Sequence, residues 1–207
     1  GGICMSEVMA IDIETENFSH EIGGWGNTHM FSPTVVATWT GDGGTVYCNK
    51  SQASEFLPEG VKLKSLSPEV LGRDIEEHIA KGGRVVGHNI IGFDLPVLRD
   101  SLDCWTAGDL LGKASETLID TSAKLRSASK SAIPLSDACI HTLGMDKTMK
   151  SHDAPLEWRK GNYGKVAEYC LKDAQLSYDL WKFGNKEGFV KARCRETGSI
   201  KEYEVEW

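Results

Sequence analysis

The chain has 207 residues, of which 40% are hydrophobic and 26% are charged, a composition typical of a globular protein with one substantial domain. Its net charge of -7 disfavours broad electrostatic binding of nucleic acid, although carboxylates that hold divalent cations still accommodate a phosphate substrate. The six cysteines include no Cys-x-x-Cys pair, and no apolar run approaches the ~18 residues of a membrane span. We therefore expect a cytoplasmic protein with reduced thiols and no membrane segment.

The first predicted strand, residues 8–16, is an apolar run that carries two carboxylates, Asp12 and Glu14. Because side chains alternate between the faces of a strand, both acids should project from one face while Ile11 and Ile13 enter the other. Two carboxylates this close repel one another unless a cation lies between them, and such oxygen ligands suit Mg2+ or Mn2+. Taken alone, the pattern also fits a solvated strand face.

The next segments predict two further strands. Residues 33–39 and 44–47 are β-branched and apolar, and Gly41-Asp42-Gly43-Gly44 between them is a hairpin turn signal. Before them, the glycine-rich residues 22–27 predict a flexible loop. With the first strand, these segments should make an antiparallel three-stranded start.

Helices and strands alternate in the middle of the chain, except that residues 105–112 give no clear pattern. The predicted elements are a helix from residue 68 to the Gly82-Gly83 stop, strands at 84–87 and 118–121, and helices at 122–126 and 135–143.

Asp94 is an isolated acid within the apolar residues 88–98, at the start of a predicted helix with Pro96 in its first turn. An aspartate in this position either caps the helix or faces a site of its own. The sequence leaves both interpretations open.

The longest predicted helix covers residues 163–183 and places Asp173 among apolar positions. A carboxylate there needs a partner or a metal ion, and Tyr169 lies one turn earlier in the same direction. Beyond this helix, residues 189–195 and 200–207 predict a hairpin.

Read in order, Asp12-Ile13-Glu14, the segment Asn89 to Asp94, and Tyr169-Cys170-Leu171-Lys172-Asp173 resemble the three motifs of the DEDD family of 3′–5′ exonucleases. The last motif has its tyrosine four residues before the aspartate and Glu168, not histidine, five before it, as in the tyrosine subtype. The pattern is similar to the exonuclease domains of family B DNA polymerases. No polymerase motifs follow, so a free-standing exonuclease is expected.

The resemblance implies an α/β protein with a ribonuclease H-like fold, in which a five-stranded mixed sheet lies between helices. We expect a single domain over residues 1–207, with a core at about 6–183 and an extra hairpin at about 189–207.

The resemblance also implies a mechanism with two divalent cations, Mg2+ or Mn2+. Asp12 would bridge both cations, Glu14 and Asp173 would complete the site of the attacking water, and Asp94 would reach the second cation. Tyr169 would orient the water, and nucleoside 5′-monophosphates would leave the 3′ end of a single-stranded nucleic acid, in replication or repair. The implied substrate contacts are Thr15, Glu16, Asn17, Phe18 and Asn89.

Several alternatives stay open at this stage. The same motifs serve DNA and RNA exonucleases, which only contacts to the 2′-hydroxyl would separate. A noncatalytic domain of this fold is disfavoured because all four acids and the tyrosine are present. Trp25 and Phe31 are candidates for stacking on bases, whereas His88 is expected to be structural. The following basic residues could contact the substrate backbone or form a solvated loop: Lys147, Lys150, Arg159, Lys160 and Lys165.

Overall fold

The computed structural model describes residues 7–145 and 153–207, which form a mixed β-sheet with helices on both faces and a separate two-stranded sheet. The strands are β1 (Val8–Thr15), β2 (Pro33–Thr40), β3 (Gly43–Tyr47), β4 (Lys62–Lys64), β5 (Arg84–Gly87), β6 (Leu118–Asp120), β7 (Phe189–Arg193) and β8 (Ile200–Glu204). The α-helices are α1 (Pro68–Ala80), α2 (Leu95–Ser101), α3 (Trp105–Gly112), α4 (Ala114–Thr117), α5 (Thr121–Ser129), α6 (Leu135–Leu143), α7 (Ala154–Arg159) and α8 (Tyr163–Glu187).

The main sheet has the strand order β4-β3-β2-β1-β5-β6. Its first three strands along the chain pair antiparallel, as predicted, and β5 and β6 add in parallel on the other side of β1. The sheet has six strands where five were predicted, because β4 pairs in parallel with β3 at the edge. This strand is only three residues long and has a lysine at each end, so it has no alternating apolar pattern that could predict it.

Helix boundaries follow local chemistry. The Ser67 hydroxyl accepts a hydrogen bond from the backbone N–H of Val70 at 3.2 Å, and Pro68 occupies the first turn of α1. Helix α8 is capped at its C-terminal end by Gly188, whose φ of +79° is a left-handed conformation that glycine adopts without strain. Helix α3 occupies the segment for which the sequence predicts no element.

The two faces of the sheet pack against different helices. Ile11 and Ile13 of β1 enter a core with α1, α2 and α3, which includes Leu71 and Leu98. On the opposite face, β1, β2 and β3 lie under α8, where small side chains such as Ala174 allow close approach. This alternation confirms that the two isoleucines of β1 face away from its two acids.

The predicted C-terminal hairpin is confirmed as β7 and β8, which pair antiparallel. Val190 and Ala192 of β7 pack with Leu176 and Leu180 of α8. The hairpin therefore extends the core at the C-terminal half of α8.

Candidate metal centre

Strand β1 carries Asp12 and Glu14 at its carboxyl end. It is paired with β2 through both acids and with β5 through the preceding residues, so its backbone has little freedom. Both side chains are partly buried on the face that α8 covers. Immediately after Glu14 the register with β2 shifts, and the hydroxyl of Thr34 donates to the Glu14 carbonyl at 3.1 Å. The strand is therefore regular up to the second acid and irregular beyond it.

Helix α8 brings a third carboxylate to this edge of the sheet. One oxygen from each of Asp12, Glu14 and Asp173 lies within 4.8 Å of the other two. Asp173 belongs to the longest helix of the described residues, which packs along β1 and β2 through apolar side chains. Residues far apart in the chain thus meet because a strand end and a long helix cross at this point.

Asp94 lies at the end of a π-helical turn, Ile90–Asp94, that joins β5 to α2. Its carboxylate accepts a hydrogen bond from the backbone N–H of Ile13 at 3.1 Å and lines the same cleft as the other three acids. Its own backbone is helical and its side chain makes no capping hydrogen bond with α2. The interpretation of Asp94 as a helix cap is therefore wrong, because its side chain is directed to the end of β1.

The electrostatics of the four acids favour a cation. Burial, followed by repulsion from the neighbouring acids, raises the pKa values of Asp12 and Glu14 well above the usual range. Burial also raises the pKa of Asp94, and it raises the pKa of Asp173 to about 6. The ligand atoms on offer are carboxylate oxygens, and this set suits a hard divalent cation such as Mg2+ or Mn2+. The residues present therefore fit a metal ion.

Tyr169 stands one turn before Asp173 on α8, as predicted. Burial is the largest cause that raises the pKa of its hydroxyl above the usual value, followed by the charges of Asp173 and Glu14. A hydrogen bond from this hydroxyl to Asp173 in turn lowers the pKa of that carboxyl. The phenol therefore remains protonated and can act as a donor, which excludes it as a strong base near neutral pH.

Cys170 was not predicted as part of the site. Its thiol is buried and lies 3.4 Å from Oδ2 of Asp12, and burial raises its pKa. The thiol is a weak donor, and it is the one that contacts Oδ2 of Asp12 among the described residues. Cys170 directly follows Tyr169 in the predicted helix. Whether its side chain points toward Asp12 depends on how the helix is turned about its own axis, which the sequence does not give.

The predicted substrate contacts between β1 and β2 separate into two groups. Thr15, Asn17 and Phe18 line the cleft beside the acids. The Thr15 hydroxyl donates to the Asn17 carbonyl at 2.9 Å, which fixes the turn that leaves β1. Glu16 is exposed and is not among the residues that line the cleft; its carbonyl accepts a hydrogen bond from Arg159 at 2.9 Å.

Asn89, the remaining predicted contact, lines the cleft in a left-handed backbone conformation with a φ of +64°. This conformation is held by a residue that the sequence analysis missed, Asp120. The buried Asp120 carboxylate accepts the backbone N–H groups of Asn89 at 2.9 Å, Ile91 at 3.0 Å and Ala123 at 3.2 Å. Its position near the end of a predicted strand, two residues before a predicted helix, was the available signal, because aspartate is a preferred N-cap residue.

His88 also lines the cleft, but its ring is occupied by the fold. Nδ1 lies 2.8 Å from the Thr121 hydroxyl, and Nε2 lies 2.8 Å from the Ile133 carbonyl. Burial lowers its pKa, and Nε2 donates to the Ile133 carbonyl, which can only accept. This geometry agrees with the structural histidine that was expected.

The cleft that contains the acids has a volume of about 460 Å3. Part of its lining is aromatic and includes Trp25, Phe31 and Phe93. Trp25 is 65% exposed, whereas Phe31 is buried. Acidic and aromatic side chains thus line the same concave surface.

The basic cluster predicted before α8 is partly described. Arg159 forms an ion pair with Glu21 at 2.5 Å, and Lys165 lies 3.7 Å from Glu157. Lys160 caps the end of α7, while Lys147 and Lys150 lie outside the described residues. Arg159 and Lys165 are therefore engaged with acids of the chain itself.

Comparisons of the chain with protein-family models and with curated proteins gave no match. Among the helices of residues 7–145 and 153–207, none combines the length and the apolar character that crossing a membrane requires.

Proposed function

We propose that the protein is a metal-dependent 3′–5′ exonuclease of the DEDD type, tyrosine subtype, with a ribonuclease H-like fold. The observation that carries the proposal is the meeting of the Asp12, Glu14 and Asp173 carboxylates within 4.8 Å at one end of a cleft. The mixed sheet with helices on both faces supports the proposed fold. The convergence of acids from a strand and a distant helix is what the resemblance of the motifs leads us to expect.

Two divalent cations are the proposed cofactors. Asp12, Glu14 and Asp173 would hold the first, and Asp94, which lines the same cleft, would contribute to the second. Such cations activate a water molecule and neutralise the charge that develops on the leaving 3′ oxygen. Asp12 and Glu14 both lie on β1, which pairs with β2 and β5, so the spacing between the two acids is fixed.

The side chains around the cations have separate tasks in this proposal. Tyr169 keeps its proton, donates to Asp173, and offers the lone pairs of its oxygen to the attacking water. It therefore orients the water and does not act as the base. Asn89 and Phe18, which line the cleft, are proposed to contact the terminal nucleotide.

The experiment that tests this function uses oligonucleotides labelled at the 3′ or the 5′ end. Single-stranded DNA, duplex DNA and RNA are incubated with Mg2+, with Mn2+ or with chelator. We expect release of 3′-labelled mononucleotides and a shortening ladder of 5′-labelled products, both only when metal is present. The DNA and RNA arms decide between a deoxyribonuclease and an exoribonuclease.

A test variant and a matched control accompany this assay. Asp12→Asn should remove the activity, whereas Asp42→Asn, which alters an exposed acid of the β2–β3 turn, should retain it. Activity that survives in chelator, or mononucleotides released first from the 5′ end, would contradict the proposed function.

A further inference from the structure

The aromatic wall of the cleft consists of Trp25, Phe31 and Phe93. The Trp25 ring lies 5.3 Å from the Phe93 ring at an interplanar angle of 83°, and 6.0 Å from the Phe31 ring. Phe31 in turn packs edge-on against Phe93 at 5.1 Å. Phe31 is 3% exposed and anchors the cluster in the core, but Trp25 keeps 65% of its surface open. A tryptophan braced on one side and open on the other is suited to stack on a planar ligand.

The loop that carries Trp25 is held by hydrogen bonds within it and at its far end, although its glycines predict flexibility. Within it, the Asn27 side-chain amide donates to the Ile22 carbonyl at 2.9 Å. At its far end, the Thr28 hydroxyl donates to Asp100 at 2.5 Å, and the Ser101 hydroxyl donates to the Thr28 carbonyl at 2.6 Å. The two bonds of Thr28 tie the loop to α2. The fold therefore holds Trp25 in its exposed position.

A second aromatic surface lines the same cleft. The Phe18 ring stacks on His20 with centroids 5.3 Å apart, and the Arg159 guanidinium lies 5.7 Å from the Phe18 ring centroid. Arg159 is itself held by Glu21. Phe18 and Trp25 thus both line the cleft that contains the acids, which has a volume of about 460 Å3.

We propose that Trp25 is a stacking platform for a base near the 3′ end of a single strand, and that it makes the enzyme select unpaired ends. This inference rests on the proposed function of the same cleft. Stacking on an aromatic side chain tolerates any sequence because every base has a π face. In a duplex every base except the terminal one has both faces covered by neighbouring pairs, so contact of Trp25 with an inner base requires local unpairing and unstacking.

The charge of the protein supports this assignment. At a net charge of -7 the chain gains little from general attraction to phosphates, and Arg159 and Lys165 already contact acids. Stacking supplies binding that does not depend on a basic surface. Trp25 is the most exposed aromatic residue that lines the cleft, so it has the largest free surface for this contact.

The test compares Trp25→Ala and Trp25→Phe with a matched control, Trp105→Ala. Trp105 is 85% exposed, but it lines a different groove, between α1 and α3. The substrates are a thymidine oligonucleotide and a DNA hairpin whose 3′ end is paired. For the single strand, Trp25→Ala should raise KM about tenfold with kcat retained, Trp25→Phe should recover most of the loss, and Trp105→Ala should match the wild type. The preference for unpaired over paired ends should shrink in Trp25→Ala alone.

An abasic nucleotide moved stepwise from the 3′ end identifies the stacked base. At one position the abasic substrate should raise the KM of the wild type and leave that of Trp25→Ala unchanged. An unaltered KM in Trp25→Ala, or the same loss at every abasic position, would overturn the assignment.

The two proposals fail in different ways. If the wild type hydrolyses no substrate, the exonuclease proposal fails, and the role of Trp25 is judged by fluorescence anisotropy of a labelled thymidine oligonucleotide in metal-free buffer. Weaker binding by Trp25→Ala than by Trp105→Ala would support the platform, and equal binding would overturn it.

Discussion

The protein contains two kinds of buried carboxylate, and their surroundings differ. Asp120 is 5% exposed and accepts three backbone N–H groups, so its charge is compensated by the chain itself. In contrast, the donor that reaches Oδ2 of Asp12 among the described residues is the weak thiol of Cys170, at 3.4 Å. The nearest groups to Asp12 include the like charges of Asp173 and Glu14. An acid with donors positions the backbone, whereas the repulsion between acids that face one another is relieved by protons or by a cation.

The largest expected effect tests the acids of the metal centre. Asp12→Asn and Asp173→Asn should each reduce nucleotide release by about a thousandfold or more, because each removes an anionic ligand of a catalytic cation. The metal-free variants should be as stable as the wild type or more stable, because one repelling charge is gone. The measurements are product release with Mg2+ and thermal unfolding in chelator. A variant with wild-type rates would show that the site is elsewhere.

Asp120→Ala should lower the stability of the fold, whereas the substitutions of Asp12 and Asp173 should not. Three buried N–H groups lose their acceptor, so we expect unfolding to become easier by about 3 kcal/mol. Denaturant unfolding in chelator measures this loss, with Asp42→Ala as the exposed control. If Asp120→Ala were as stable as the wild type, Asp120 would belong with the acids of the metal centre, and the comparison would fail.

Tyr169→Phe should separate chemistry from metal binding. Loss of the hydroxyl removes the group that orients the water, so hydrolysis should slow by about ten- to a hundredfold. Mn2+ affinity, measured by calorimetry, should change far less, since the phenol contacts Asp173 and is not itself proposed as a ligand. Equal loss of Mn2+ affinity and of rate would contradict this role.

The smallest expected effect concerns pH. The pKa of Asp173 is about 6 in the folded chain and near 3.9 when unfolded, so the folded state binds the proton more tightly. The metal-free protein should therefore gain stability as pH falls from 7 toward about 4.5, by roughly 1–3 kcal/mol. Mg2+ takes the place of the protons, so its stabilising effect should be larger at pH 7.5 than at pH 5. Thermal unfolding of the wild type and of Asp173→Asn, each with and without Mg2+, measures both trends.

Strong local patterns made much of the fold predictable. The alternation around Asp12 and Glu14 and the helical periodicity of the 25-residue α8 are patterns that tertiary contacts reinforce. The glycine cluster after β2 is a turn signal. The acids that meet in the cleft, Asp12, Glu14 and Asp173, also stand out in the sequence, because a carboxylate within an apolar pattern is unusual wherever it occurs.

Other features depend on contacts that no local pattern encodes. Strand β4 exists because β3 offers an open edge, and α3 because its apolar side chains meet those of α1 and α2. Asp94 and Asp120 both precede helices and look alike in sequence, yet Asp120 caps α5 while the carboxylate of Asp94 turns to β1. Only the packed chain distinguishes them, because the difference lies in which backbone N–H groups surround each carboxylate.

The register shift after Glu14 divides β1 into a fixed part and an adjustable one. Asp12 pairs with Ala37 and Glu14 with Val35 on the regular side, while Thr15 already pairs out of step, with Pro33. A change in the number of residues between Thr15 and Pro33 is therefore absorbed beyond the irregularity, and the separation of the two acids stays the same. The segment that carries Phe18 and Trp25 begins beyond this irregularity, so a change in its length leaves the positions of Asp12 and Glu14 on β1 unchanged.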